Sequence, residues 1–229
     1  MSLTKNMILE MLEMQNRLEI RISGEDWTKL EHDYALAIFM ESAEAIDHHG
    51  WKWWKMQECN LPQMQLELVD IWHFAMAWLL QQNDGAFSFE ELAEQLQIGI
   101  ESVTSEDSVD IAFIDAMVAL GTAAMSSSVF SFSSFIHACR CASLGPIDLY
   151  EKYIGKNVLN LFRQDHGYKE GTYNKHWEVP IIDGQPAGLY EDNDVLNSVM
   201  FSIKKTEGMD SLTYENVYAR LSRYYNSEL

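Results

Sequence analysis

The sequence predicts an all-α protein built as a bundle of helices, and three observations support this fold class. Good helix formers (Leu, Met, Ala, Glu and Gln) fill the segments whose hydrophobicity is periodic. Alternating runs of β-branched residues, which are typical of strands, are scarce. The chain of 229 residues contains only four prolines. This length is sufficient for a substantial core, arranged as one large domain or two small ones.

Three helices are predicted in the first third of the chain. Apolar residues recur with a helical period over residues 7–22. Asp26 is a suitable N-cap for a second helix, which we expect to run to about Gly50. A third helix is predicted over residues 61–82, with a proline in its first turn and the turn sequence Asn-Asp-Gly after it.

The remaining two thirds continue this pattern, with one long interruption. The serine-rich segment 125–134 is either a loop or the start of a helix. Four glycines and two prolines between residues 165 and 191 predict a long irregular loop, after about seven helices. Further helices are predicted over 88–101, 107–125, 147–163, 194–204 and 213–225.

Composition excludes several classes of function. Sixteen Lys and Arg against 35 Asp and Glu give a net charge of −19, so general binding of nucleic acid or of an anionic membrane is disfavoured. Three cysteines without a CxxC motif indicate a reducing, cytoplasmic compartment. No signal peptide is predicted, and the most apolar segment, 71–80, is too short to span a bilayer.

Two pairs of carboxylates are the first candidate for chemistry. Glu41 and Glu44 are three residues apart on one predicted helix, and Glu67 and Asp70 have the same spacing on the next. Each pair therefore lies on one helix face, surrounded by apolar residues. If the helices are antiparallel, the four carboxylates converge and repel one another unless a divalent cation binds. Oxygen ligands favour Mg²⁺ or Mn²⁺.

Each of these residues also has a simpler interpretation. An ExxE pair on its own is usually the solvated face of a surface helix. His73, one turn after Asp70, is more often a hydrogen-bonded core histidine than a metal ligand. The second pair favours the metal site, because its segment leaves little room for a solvated face.

A local group of cations follows in residues 150–175. Lys156, Asn160 and Arg163 form one polar stripe on the predicted helix, opposite apolar residues. Arginine binds phosphate through two hydrogen bonds, lysine as a point charge, and asparagine through its amide. The stripe therefore suits a polyphosphate, although an ordinary amphipathic helix has the same pattern.

Four blocks of sequence carry a family resemblance: ESAEAIDHHGWKWWK (41–55), ELVDIWHF (67–74), YIGKNVLNLFRQDHGYKEGTYNK (153–175) and YEDN (190–193). Together they resemble the dimeric, all-α dUTPases of the all-α NTP pyrophosphatase superfamily. The resemblance implies a single all-α domain over residues 1–229, with core helices in 1–83 and 146–204 and a cap or dimer-interface insertion in 84–145. It also implies Mg²⁺-dependent hydrolysis of dUTP, and of dUDP, to dUMP in a homodimer, with two or three Mg²⁺ per site and Mn²⁺ as a substitute.

The same resemblance implies roles for individual residues. The four carboxylates would be the metal ligands, and Glu41 or Glu44 would also orient or deprotonate the attacking water. His73 and Phe74 would border the deoxyribose. The other implied substrate contacts are Gln15, Glu19, Trp51, Lys52, Trp54, Lys55, Asn157, Asn160, Arg163, Tyr168, Lys169, Lys175 and Asn193.

The sequence departs from this family pattern at two places. Members specific for dUTP tend to carry Gln and Asn four residues apart on the first helix, whereas this chain has Gln15 and Glu19. This stretch looks closer to the phage-type dCTPase–dUTPase branch. A carboxylate accepts a hydrogen bond from cytosine N4, so we expect dCTP to be accepted alongside dUTP. The alternative is that Glu19 points elsewhere. The second departure is a longer segment between Trp177 and Tyr190.

Two other functions remain open at this point. Asp70 and His73 form a DxxH pair, of the kind found in di-iron carboxylate bundles, but those sites need such a pair on two helices. A helical interaction protein would instead use the tryptophans as a binding patch and would have no need of the carboxylates.

Overall fold

The computed structural model describes residues 3–103, 111–180 and 187–225. The described chain is predominantly helical, as predicted, with one two-stranded antiparallel sheet. Its α-helices are α1 (Lys5–Ser23), α2 (Tyr34–His49), α3 (Leu61–Asn83), α4 (Phe89–Ser102), α5 (Phe113–Ser127), α6 (Phe132–Cys141), α7 (Pro146–Asp165), α8 (Asp192–Glu207) and α9 (Tyr214–Tyr225).

Local capping explains where several of these helices begin. The Thr4 side chain accepts a hydrogen bond from the Met7 amide at the start of α1. Asn60 caps α3 in the same way, and a proline follows in the first turn. Ser88 and Glu91 form a reciprocal capping box at the start of α4. These side chains satisfy amides that have no partner inside the helix.

The second predicted helix begins later than expected. Trp27–Leu30 is a short 3₁₀ helix, and Glu31 has a left-handed backbone with φ of 52°. The Asp26 carboxylate does not cap this turn, since it pairs with the side chain of Lys29. Asp33 instead accepts from the Leu36 amide and starts α2. The predicted Asp26 cap was therefore wrong.

Two other boundaries differ from the prediction. The serine-rich segment contains both the end of α5 and the start of α6, which Ser131 caps. The predicted irregular loop contains β1 (His176–Val179) and β2 (Gly188–Glu191), which pair with His176 opposite Glu191. Residues 104–110, where a helix start was predicted, and residues 181–186, in the longer segment before YEDN, lie outside the described residues.

The core is centred on α3. Leu68, Ile71 and Trp72 are almost completely buried, with α2, α6 and α7 packed around this helix. The helices of segment 84–145 contribute to the same core, because α4 packs along α1 and α5 packs along α2. Among the described helices, none is long and apolar enough to cross a membrane.

Candidate active site

The carboxylate pairs lie on two adjacent helices that run in opposite directions. His48 near the end of α2 contacts Glu67 near the start of α3, and Tyr34 at the start of α2 packs against Phe74 further along α3. This antiparallel arrangement brings one carboxylate oxygen of Glu41, Glu67 and Asp70 within 4.8 Å of one another. These three residues are called the carboxylate trio below.

Glu44 lies on the same helix as Glu41, one turn further on. Its side chain is exposed and is not part of the carboxylate trio. Its negative charge nevertheless acts on both Glu41 and Glu67. The predicted set of four is therefore divided into three convergent carboxylates and one solvated carboxylate beside them.

The carboxylate trio is electrostatically strained in the absence of a cation. Burial, followed by the charge of Asp70 and contact with Glu67, raises the pKa of Glu41 from 4.5 to about 8. Burial and the charge of Asp70 also raise the pKa of Glu67. At neutral pH Glu41 therefore retains a proton that a solvated carboxyl group would lose. A divalent cation would remove this repulsion, and a set of only oxygen ligands suits Mg²⁺ or Mn²⁺.

A buried lysine accompanies the carboxylate trio. Lys156 on α7 places its Nζ 3.0 Å from the Asp70 carboxylate, and this lysine side chain is only 7% exposed. On the other side, His48 Nε2 lies 3.3 Å from Glu67 Oε1. The polar stripe on α7 pointed to Lys156 in sequence, but nothing there indicated that Asp70 was its partner. His48 carried no sequence signal beyond its position after Glu44.

A layer of buried polar side chains extends from this site to α1. Gln15 Nε2 donates to Glu19 Oε1 at 2.9 Å. The Tyr153 hydroxyl lies 2.8 Å from Gln15 Oε1, and Asn157 Nδ2 lies 3.5 Å from the same oxygen. Tyr153 and Asn157 are on α7, on either side of Lys156 in sequence. One helix therefore contacts both the carboxylate trio and the Gln15–Glu19 pair.

His73 joins this layer to α3. Its ring stacks on Tyr153 with centroids 4.0 Å apart, and its Nδ1 lies 2.8 Å from the Val69 carbonyl. Burial lowers the pKa of His73 to about 4, so the ring is neutral and Nδ1 donates its hydrogen. Nε2 is then an acceptor, and it is buried without a partner among the described residues. The contact with Val69 is that of a core histidine, and Nε2 is a buried acceptor whose hydrogen-bonding capacity is unsatisfied in the described chain.

The WKWWK loop follows α2 directly and is largely exposed. Trp51 and Trp54 make an edge-to-face contact with centroids 5.2 Å apart. Lys52 Nζ and the Trp51 indole nitrogen both bind the Asp47 carboxylate, at 2.6 and 2.8 Å. Lys55 is exposed. The loop therefore exposes aromatic surface, and in sequence it directly follows the helix that carries Glu41.

The predicted phosphate-binding block divides into two groups. The Arg163 guanidinium is hydrogen-bonded inside the protein. It donates two 2.8 Å hydrogen bonds to the buried Asp192 and a third, at 3.2 Å, to Asn160. The Tyr173 hydroxyl also donates to Asp192. The structure thus places Arg163 and Asn160 in a buried network that joins α7 to the start of α8.

The other members of the block lie nearer the surface. The Lys175 ammonium lies 5.3 Å from the centre of the Tyr168 ring, and Lys169 donates to the Ile22 carbonyl at 2.7 Å. Asn193 on α8 has its Oδ1 buried without a partner within residues 3–103, 111–180 and 187–225. The Lys175 ammonium makes no ion pair among the described residues, and the free group of Asn193 is a hydrogen-bond acceptor.

A family model described as dUTPase matches residues 7–168, well over half of the chain. The match includes the carboxylate trio, Lys156 and the buried layer that contains Gln15 and Glu19. A search of curated proteins finds no match. The family supports hydrolysis of dUTP, a small nucleotide. The chain belongs to the dUTPase family.

Proposed function

We propose that the protein is a Mg²⁺-dependent dUTP diphosphatase that converts dUTP and water to dUMP and pyrophosphate. The observation that carries this proposal is the convergence of Glu41, Glu67 and Asp70 beside a buried lysine. A cluster of carboxylates of which one is buried and two are half-buried is costly without a cation. A triphosphate, in turn, needs cations to neutralise its charge.

The carboxylate trio would hold two or three Mg²⁺ ions, or Mn²⁺ in their place. Bound Mg²⁺ would supply neutralisation of the triphosphate and would acidify the attacking water. Glu44, exposed beside the trio, would orient this water and accept its proton. Lys156 and Lys175 would bind phosphate oxygens as point charges. The water oxygen would bond to the α-phosphorus, the bond from this phosphorus to the oxygen that bridges to the β-phosphate would break, and pyrophosphate would leave with the electron pair.

The nucleoside would lie against the buried polar layer. The unpartnered Nε2 of His73 and the half-buried ring of Phe74 are positioned beside Tyr153 and Tyr34. Gln15, Glu19 and Asn157 would read the base, and Trp51 and Trp54 would border the opening. We also propose that dUDP is a substrate, and that dCTP is accepted because Glu19 can receive a hydrogen bond from cytosine N4.

A homodimer is part of the proposal, and exposed apolar side chains on α2 and α5 support it. On α2 they are Leu36, Phe39 and Met40; on α5 they are Val118 and Met125. The two helices pack along each other, so their exposed side chains lie on neighbouring parts of the surface. Clustered apolar surface of this kind marks an interaction site. Sedimentation should give twice the chain mass for the wild type and the monomer mass for Met40→Glu; monomeric wild type would exclude the dimer.

The cytoplasm is the compartment we propose. Cys59, Cys139 and Cys141 form no disulfide with one another, which supports a reducing environment.

Two observations favour the hydrolase over the alternatives. In the described part of the chain, the group that could hold a metal consists of three carboxylates, with His48 beside one of them, whereas a di-iron bundle needs histidine ligands on two helices. A helical interaction protein gives no reason for a raised Glu41 pKa or a buried Lys156–Asp70 pair. One assay distinguishes the hydrolase, the di-iron protein and the interaction protein.

That assay is pyrophosphate release from dUTP with Mg²⁺, repeated after removal of metal by EDTA. We expect activity only with divalent cation, and a loss of at least about 100-fold in Asp70→Asn and Glu67→Gln with the fold retained by circular dichroism. Glu90→Gln, on the exposed surface of α4, is the matched control and should keep full activity. Unchanged turnover in both site variants would exclude the proposed mechanism.

A further inference from the structure

The carboxyl group of Glu19 is buried on α1, and the residue is only 7% exposed. One of its oxygens, Oε1, accepts the hydrogen bond from Gln15 Nε2. The Gln15 amide is held in this orientation, because its own oxygen faces the donors of Tyr153 and Asn157. A proton taken up by Glu19 is therefore best placed on the second oxygen, Oε2.

The groups that face Glu19 come from three elements and include no permanent cation. Gln15 faces it from α1, Tyr34 from α2 and Tyr153 from α7, and His32 lies in the segment that precedes α2. In the described ranges, no lysine or arginine forms an ion pair with Glu19. Burial raises the pKa of Glu19, and hydrogen bonding together with the charge of His32 opposes this rise only in part.

Both protonation states suit a pyrimidine, but not the same one. Cytosine presents the N4 amine as a donor, whereas uracil presents O4 as an acceptor. An ionised Oε2 accepts from N4 and repels O4. A protonated Oε2 donates to O4 and has no acceptor to offer the N4 amine. Each state therefore leaves one of the two bases with a mismatched polar contact.

We propose that Glu19 is a specificity-determining residue whose protonation state selects the base, with uracil favoured when Glu19 is protonated and cytosine when it is ionised. This inference rests on the proposed function, since it assumes that the layer around Gln15 and Glu19 reads the base of a bound nucleotide. Its consequence is a substrate preference that changes with pH. The preference for dCTP over dUTP rises as the pH rises.

The test is the ratio of kcat/KM for dCTP to that for dUTP, measured from roughly pH 5.5 to pH 8.5, on the side of the ordinary carboxyl pKa to which burial shifts Glu19. Titration of the shared catalytic groups cancels in this ratio. We expect the wild-type ratio to rise at least about tenfold across the range, the discrimination typical of one base-edge contact. Glu19→Gln cannot titrate and should give a flat ratio.

Glu13→Gln is the matched control, because it removes an exposed carboxylate from the same helix. It should keep the wild-type slope. As a readout independent of turnover, the ratio of the dissociation constants of dCMP and dUMP, measured by calorimetry, should follow the same pH dependence. This binding test also applies if Glu19→Gln loses activity, provided that circular dichroism shows it folded.

A flat wild-type ratio in both measurements would overturn the inference, as would an equal slope in wild type and Glu19→Gln. Failure of the proposed function looks different. In that case the wild type would hydrolyse neither dUTP nor dCTP at any pH in the range.

Discussion

Replacing Glu41 by glutamine should make the metal-free protein more stable while removing its activity. Glutamine has nearly the same shape but no charge, so it removes one of the three carboxylates that repel one another in the trio. The raised pKa of Glu41, from 4.5 to about 8, gives the direction of the effect. The ionised side chain is less favourable in the folded protein than in the unfolded chain. This penalty is absent below about pH 4.5 and grows until about pH 8.

The magnitude at pH 7 follows from these values. At pH 7 the solution is about 2.5 pH units above the ordinary pKa of a glutamate. At roughly 1.4 kcal/mol per unit, the upper limit of the gain in the free energy of unfolding is about 3.5 kcal/mol. Glu41 is only half-buried, so solvent screening reduces the expected gain to about 1–2 kcal/mol. For a chain of this length, that gain corresponds to a rise in Tm of roughly 2–8 °C.

The assay is thermal unfolding in EDTA from roughly pH 5 to pH 8, followed by circular dichroism. The wild-type Tm should fall with rising pH more steeply than that of Glu41→Gln. Glu44→Gln removes an exposed charge on the same helix and should change the Tm by less than Glu41→Gln does. Adding Mg²⁺ should stabilise the wild type more than Glu41→Gln. A Glu41→Gln variant that is less stable than wild type in EDTA at pH 7 would refute the electrostatic reasoning.

Two further predictions test the network that joins α7 to α8. Asp192→Asn leaves the buried Arg163 without its counter-charge, which should reduce the free energy of unfolding by about 3–5 kcal/mol. The control is Glu191→Gln, which changes an exposed neighbouring residue. Equal urea midpoints for the two variants would contradict this prediction. Gly155→Ala adds a methyl group that collides with the flexible Met200 side chain, and after the gain of about 1 kcal/mol in helix propensity it should cost up to about 2 kcal/mol. The second change Met200→Ala should recover part of that loss, and strictly additive losses would show that the two residues do not interact.

The sequence was sufficient to predict the fold class, and it singled out the three carboxylates that the structure brings together. Helical period and composition predicted the helices, because an amphipathic pattern is a local property of the chain. The spacing of Glu67 and Asp70 placed both carboxylates on one face of α3 for the same reason. Element boundaries were less certain, since Asp26 and Asp33 are both good caps and the backbone uses only the second.

Other features depend on partners that are distant in the chain, and only the tertiary structure decided them. In the sequence Lys156 is one member of a basic stripe. Its ion pair with Asp70 exists only because α7 packs on α3. Arg163 has the chemistry of a phosphate ligand, yet its guanidinium is bound to Asp192. Local pattern determines which face of a helix a side chain occupies. Which charge it meets there is decided by packing, because electrostatic and hydrogen-bond partners come from helices far apart in sequence.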